Sequence, residues 1–433
     1  MSTNWQEYYA SHTTTALSAV QAAVKSGDFL VFGHAVAAPS DLSKALFEDR
    51  ERLTDVKVFH MLYFAEPWHL RPEMKGHVQP ILNFLDKNSR PAFREKRVDY
   101  LPCHIHELPS FFEEGVYPVD VAFISVSEPN EEGYCSFGVS CDYTKPAAEC
   151  ARIVVAEVNK QMPFIGGDNL IHVTKLDYIV PVDRPLVEIP PAPIGEVEQR
   201  IGEICAELIE DGDTLQIGIG AIPDAVLQCL QGRKDLGLHT EMFTDGVMHM
   251  IQSGHVTGEK KTLHHRKVAS SIIMGSKALY DFIDHNEMIE MYPVNHMNDP
   301  YVIGQNDRMV SINSCLEIDL YGQVASEAIG LEQFSGTGGQ VDYLRGAKRS
   351  RGGRSILAFT STAKGGTVSR IVPVLPPGAT VTSGRNEVDY IATEYGAVRL
   401  RGLTLRERAL ALVSIAHPDF RPGLMAAIEE RFS

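Results

Sequence analysis

Residues 209–227, IEDGDTLQIGIGAIPDAVL, and residues 24–42, VKSGDFLVFGHAVAAPSDL, follow one pattern. Each runs Gly-Asp, a short apolar stretch, a Gly-containing loop, then Pro and a helical pattern. The first loop is one residue longer. Each copy also follows an amphipathic segment. Ile194, Val197, Ile201, Ile204 and Leu208 recur at spacings of three and four before the second copy, the period of one helical face. Leu17, Val20 and Val24 do the same before the first. Helix, turn, strand, Gly loop, helix is the grammar of an α/β layer with a parallel sheet. The repeat predicts an α/β protein of two related, doubly wound open-sheet domains.

Between the copies lies PVDRPLVEIPPAPIG (181–195), with five prolines in thirteen residues. Proline removes a backbone donor and fixes φ, so neither helix nor central strand runs through it. The expected division is residues 1–183, a linker over 184–196, and residues 197–433. DVAFISVS (120–127), RIVVAEV (152–158) and LDYIVPV (176–182) read as buried strands, being short apolar runs rich in β-branched residues. KVASSIIMG (267–275), SILAFTST (355–362) and VDYIATEYGAVRL (388–400) read alike, and the tail from Leu403 reads as helices.

With 433 residues the chain can bury a large core without disulfides or metal. Its net charge of −16 makes nucleic acid or an anionic membrane surface an unsuitable partner. The seven cysteines form no CxxC pair and no zinc-spaced cluster, which fits a reduced cytoplasmic protein without metal. The opening MSTNWQEYYASHTTT has neither a positive n-region nor an apolar core, and no stretch approaches 18 apolar residues.

Three Gly-rich loops are candidates for holding an anion. Gly218-Ile219-Gly220-Ala221-Ile222-Pro223 follows a strand and opens a helix, where free N–H groups and the helix dipole favour negative charge. It is equally readable as a tight strand-to-helix turn. Pro223 sits where a dinucleotide fingerprint needs its third glycine, which argues against a nicotinamide dehydrogenase. FSGTGGQVDYLRGA (334–347) offers successive unhindered amides. Residues 340–370 then carry seven Lys and Arg residues against the single acid Asp342, a place where phosphates could dock unless it is only a solvated loop. In Ala363-Lys364-Gly365-Gly366-Thr367 a lysine stands as a point-charge phosphate ligand.

Among the acids, Glu241 lies beside Met242 and Phe243, where an unpaired carboxylate is costly to bury. Glu290, Glu327 and Glu394 also lie in or near apolar stretches, the commoner fate of each being a salt bridge or a solvated face. No Ser occupies a G-x-S-x-G elbow, so a hydrolase triad is unsupported. His239 and His264 read as structural rather than as general bases.

GIGAIPDAV, HTEMFTDGV, GTGGQVDYLRGA and STAKGGTVSRIVP, in this order, resemble the acetyl-CoA hydrolase/transferase family. DVAFISVSEPNEEGYCSFGVSCDYTK and AEVNKQMPFIGGD extend the resemblance to the first half. It implies two α/β domains with the active site between them, assembled as dimers or higher homo-oligomers. It further implies Glu241 as nucleophile, and Gly218, Ile219, Gly220, Ala221, Ile222, Leu316, Gly339 and Lys364 as the CoA site. CoA would be a substrate, with no metal and no permanently bound cofactor. The implied reaction moves CoA between a short-chain acyl-CoA and a carboxylic acid through an acyl-glutamyl anhydride and a glutamyl-CoA thioester. A carboxylate nucleophile is ionised at neutral pH and needs no general base.

One departure concerns the acid. Many relatives carry Gly and an acidic residue before the first loop's proline, whereas here Gly33-His34-Ala35-Val36-Ala37-Ala38-Pro39 is apolar apart from His34. An apolar wall suits acetate or butyrate rather than 4-hydroxybutyrate. A small dicarboxylate such as succinate or itaconate remains open if His34 or a distant Arg holds its second carboxylate. A hydrolase on the same scaffold and a non-catalytic acyl-CoA-binding protein are the rival readings.

Overall fold

The computed structural model describes residues 4–432. It divides into two compact units, one formed by the chain up to Ile189 with Ala269–Met297, the other by Pro190–Val268 with the chain from Asn298 onward. The first crossing falls within the proline-rich stretch. Residues 269–297, expected with the second half, group with the first because their backbone is spent there. Ser271 O accepts from Cys141 N–H, Ile273 N–H donates to Val139 O, and Val294 N–H donates to Asp142 O. Glu290 and Met291 also pair with Gly166 and Gly167.

The first unit holds β1 (Phe29–Phe32), β2 (Val56–His60), β3 (Val78–Leu82), β4 (Asp99–Tyr100), β5 (Val121–Val126), β6 (Ile153–Asn159) and β7 (Tyr178–Val182). They form one sheet in the order β7-β6-β5-β1-β2-β3-β4, every pairing parallel. β1 and β5 are buried at every residue, which is why they read as unbroken apolar runs rather than alternating ones. Leu30, Phe32, Val121, Phe123 and Val155 centre the core.

The second unit holds β8 (Thr214–Ile217), β9 (Gly237–Phe243), β10 (Met309–Asn313), β11 (Arg354–Ala358), β12 (Tyr390–Thr393) and β13 (Gly396–Arg399), in the order β13-β12-β11-β10-β8-β9. All run parallel except the β12–β13 hairpin. Residues 388–400, expected as one strand, are this hairpin, turning at Glu394-Tyr395. The repeat is matched in three dimensions. β1 and β8 are both interior strands, each flanked on one side by the next strand in sequence, β2 or β9.

Helix α1 (Glu196–Glu207) precedes β8, and α2 (Ala221–Cys229) and α3 (Asp245–Gln252) follow β8 and β9. Their approach is close: a Cβ on Gly202 of α1 would stand 2.8 Å from Ala225 C of α2. Ile201 and Ile204 are buried as the periodicity predicts, but Leu208 is half-buried at the helix end, Val197 is 40% exposed and Ile194 precedes the helix. In the first copy Ala19, Val20 and Ala23 form the buried face, and Leu17 is 38% exposed.

A buried histidine pair lies behind the first unit's Gly loop. His60 Nε2 and His69 Nε2 are 2.7 Å apart, and His69 Nδ1 meets Ser43 Oγ at 3.1 Å. Burial pushes His60 down to about 3 and His69 well below the usual imidazole range. Both stay neutral in the fold, whereas the unfolded chain takes up protons below about 6.5. Stability therefore falls as pH drops from about 6.5 toward 3, by up to about 1.4 kcal/mol per pH unit from His60, with His69 acting in the same direction. Calorimetric unfolding of wild type and His60→Asn at pH 7 and pH 5 checks this. The stability gap between the two proteins closes on acidification.

Candidate functional site

The candidate residues sit where parallel strands of the second unit end. Gly218 follows the last residue of β8, and Glu241 lies in the C-terminal part of β9. The two strands are neighbours, coupled at this level by Thr240, whose hydroxyl donates to Ile217 O at 3.1 Å. Leu316 comes three residues after β10, and Lys364 lies in the hairpin segment after β11. Since β9, β8, β10 and β11 run parallel, all these positions share one rim of the sheet. That rim is where open α/β sheets bind ligands.

Glu241 is part-buried, and Asn298 Nδ2 donates to its Oε2 at 2.6 Å. Asn298 is fully buried. Gly339 closes the other side: a Cβ there would lie 1.9 Å from Glu241 Oε2 and 2.5 Å from Asn298 Nδ2. Only glycine lets the backbone lie against this carboxylate. Tyr343, 1% exposed, bonds through its hydroxyl to the Glu241 backbone, and burial holds that hydroxyl well above the usual phenol range. Glu241, Gly339, Asn298 and Tyr343 thus form one directly contacting set. Asn298 carries no local sequence signal, since its value lies in a contact with a residue far away along the chain, whereas Tyr343 lies within the GTGGQVDYLRGA motif without having been singled out in it.

Helix α4 (Gln340–Arg349) begins at Gly339 without a side-chain cap, and α2 begins at Gly220 and α3 at Thr244 likewise. Three helix N-termini at this rim therefore keep first-turn N–H groups and positive dipole ends available for an anion. Gly220 has φ +116°, so glycine is required there by conformation, whereas a Cβ on Gly218 would meet nothing closer than 3.9 Å. Ile219 is 47% exposed, and Ala221 and Ile222 open α2. Lys364 is exposed with φ +50°, between turns that place Gly365 and Gly366 at positive φ.

The basic run of residues 340–370 is only partly free for phosphates. Arg345 pairs with Glu387 at 2.5 Å, Arg351 with Asp307, and Arg354 with the fully buried Asp213. Acids from elsewhere in the chain thus hold three of its seven bases. Glu394 accepts from Ser361 N–H and Oγ, and Glu290 from the Tyr292 hydroxyl. His34 is 1% exposed and its Nδ1 meets Asp142 at 3.1 Å, so the only polar residue of that loop is turned to an internal partner.

A cavity of ≈ 920 Å³ in the same unit is lined by residues of α1, α2 and α3, including Glu196, Asp224 and Asp245. Burial, and then the neighbouring Asp245, pushes the Asp224 carboxyl up. None of the nine candidate residues lines this space, and its carboxylates would repel CoA phosphates. Among the described residues no group of His, Cys, Asp and Glu could hold a metal ion, and no helix is long and apolar enough to cross a membrane.

Removing the Asn298 amide takes a hydrogen bond from a charged group, worth about 1.5–3 kcal/mol. If Glu241 is the nucleophile that the resemblance implies, Asn298→Ala lowers kcat by about 10- to 100-fold, and steady-state kinetics with butyryl-CoA and acetate reads it.

The acetyl-CoA hydrolase/transferase N-terminal domain matches residues 1–191 and the C-terminal domain of the same family matches residues 275–428. The chain is 51% identical, over 99% of its length and 100% of the relative's, to a 4-hydroxybutyrate coenzyme A transferase of Clostridium kluyveri. It is 42% identical, over 98% of its length and 97% of the relative's, to a succinyl-CoA:cyclohexane-1-carboxylate CoA transferase of Geobacter metallireducens. The crystal structure of a 4-hydroxybutyrate CoA-transferase from Porphyromonas gingivalis superposes with TM-score 0.88 at 57% identity, covering 99% of this chain and 100% of that one. With both family domains matched and relatives aligned almost end to end, the chain belongs to the acetyl-CoA hydrolase/transferase family and is a CoA-transferase.

Proposed function

We propose that the enzyme moves CoA between a short-chain acyl-CoA, of the acetyl, butyryl or 4-hydroxybutyryl type, and a carboxylic acid, with Glu241 as nucleophile. The observation that carries this reading is the Glu241 carboxylate held between the Asn298 amide and the Gly339 backbone. The carboxylate attacks the thioester carbonyl, the C–S bond breaks, and CoA thiolate leaves an acyl-glutamyl anhydride. The thiolate then attacks the glutamyl carbonyl, giving glutamyl-CoA and freeing the donor acid. An acceptor carboxylate attacks glutamyl-CoA, and the returning thiolate takes the new acyl group and restores Glu241. No step needs an oxidant, a metal or a general base.

Uncapped amides at the start of α2 and α4 suit the developing oxyanions, each such donor being worth about 3 kcal/mol in the transition state. Gly218, Ile219, Gly220, Ala221, Ile222, Leu316, Gly339 and Lys364 would hold CoA, with Lys364 the charged group for a phosphate. CoA enters as substrate, with no permanently bound cofactor. The protein would work in the cytoplasm as a homodimer or higher homo-oligomer.

Intact-protein mass after brief incubation with butyryl-CoA, without added acid, tests the scheme. A gain equal to CoA less water, mapped to Glu241, supports it. Absence of adduct and of turnover across a panel of acyl-CoAs sinks it. Acid-independent release of CoA instead marks a hydrolase. A transferase for a small dicarboxylate such as succinate or itaconate is a second reading, favoured by the succinyl-CoA relative. His34 has its Nδ1 held by Asp142, and its buried Nε2, which has no partner in the structure, is the atom that would meet a second carboxylate.

A further inference from the structure

We propose that Glu327 is a positioning residue for the transfer reaction, setting the loop that brings Gly339 against Glu241. The inference rests on Glu241 being the nucleophile.

Glu327 is 4% exposed. Its Oε1 accepts hydroxyl hydrogen bonds from Thr337 at 3.2 Å and Thr382 at 3.1 Å, and its Oε2 accepts from Gln333 Nε2 at 3.1 Å. Its backbone carbonyl accepts the N–H groups of Phe334 at 2.7 Å and Ser335 at 3.0 Å. One residue therefore grips residues 333–337 by both side chain and backbone.

Thr382 links this grip to a second strut. Thr382 Oγ1 takes the Ser326 N–H at 3.0 Å, and next to it Ser383 Oγ takes Gln340 Nε2 at 2.9 Å, at the first residue of α4. The loop is thus braced on both flanks, with Gly336 and Gly339 buried within it. Gly336, Gly338 and Gly339 give this loop little stiffness of its own. The bracing must come from outside, and Glu241 Oε2 stands where any Cβ at 339 would fall.

A carboxylate fits this task because two acceptor-only oxygens serve three donors. Glutamine has nearly the same shape but turns an NH₂ group toward donors. E327Q therefore loosens the loop without emptying the site.

The test compares full-length wild type, E327Q, T337V and the double variant. It reads kcat and KM with butyryl-CoA and acetate, the rate of adduct formation at Glu241 by intact mass, and thermal unfolding. E327Q is expected to lower kcat and adduct rate together by about 10- to 100-fold, the scale of a small misplacement of reacting groups. KM for butyryl-CoA should change far less than kcat, since of the residues proposed to hold CoA only Gly339 lies on this loop. T337V should lower the rate less, and the double variant should be no slower than E327Q, because both act through one contact. T382V removes a different donor and gives the same readout should E327Q fold poorly. A wild-type adduct rate in both E327Q and T382V, or independent additive losses in the double variant, overturns the proposal. Failure of the wild type to label at Glu241 overturns instead the nucleophile beneath it.

Discussion

Glu241→Ala is expected to lower kcat for CoA transfer by at least about 10⁴-fold, the range for a removed nucleophile, while the protein stays folded. The carboxylate is part-buried at a strand end, and the side chains around it, Asn298 and Tyr343, remain held by the second unit's core. Truncation removes the atom that attacks and leaves only binding and oxyanion stabilisation. Residual turnover then has to pass directly from thioester to acid, and no adduct forms. The measurement is kcat with butyryl-CoA and acetate together with intact mass. Glu241→Gln adds a sharper arm, since it keeps shape and the Asn298 neighbourhood but not the nucleophile. Near-wild-type transfer by either variant would discard the covalent scheme.

Gly339→Ala should cost about 10²-fold in kcat, the consequence of displacing a reacting group by roughly 1 Å. A single methyl would stand 1.9 Å from Glu241 Oε2 and 2.5 Å from Asn298 Nδ2. Those distances cannot persist, so the carboxylate swings away or the start of α4 moves back. Either movement separates the nucleophile from the helix N-terminus beside it. Gly339 has φ −87°, so alanine suffers no backbone strain there, and any loss comes from the contact itself. Gly423→Ala, in a helix outside the proposed CoA site, is the control: its methyl meets nothing within 4 Å and should be far milder. Equal effects in the two variants would mean that the Gly339 contact is not special.

The sequence alone determined the α/β class, the repeat and the motif order, because each is a short-range signal. Fully buried parallel strands write themselves as apolar runs, as in Val121–Val126, and a strand-to-helix turn writes itself as Gly220 and Pro223. Periodicity also located α1, though it extended the apolar face to Ile194 and Val197, which the core does not reach. Glu241, Gly339 and Lys364 stood out through the motifs that contain them.

Only the tertiary structure decided which residues meet. Asn298 lies 57 residues from Glu241 and has no motif of its own, yet the fold delivers its amide to that carboxylate. Arg345, Arg351 and Arg354 in the basic run after Gln340 looked available until Glu387, Asp307 and Asp213 arrived from other elements to pair with them. Residues 269–297 join the first unit through hydrogen bonds to residues 139–142 and strand pairing with 166–167, which no local pattern announces. The reason is the same in each case. Propensity and periodicity report how a segment folds against its immediate surroundings, whereas strand order and chain crossing fix its distant partners.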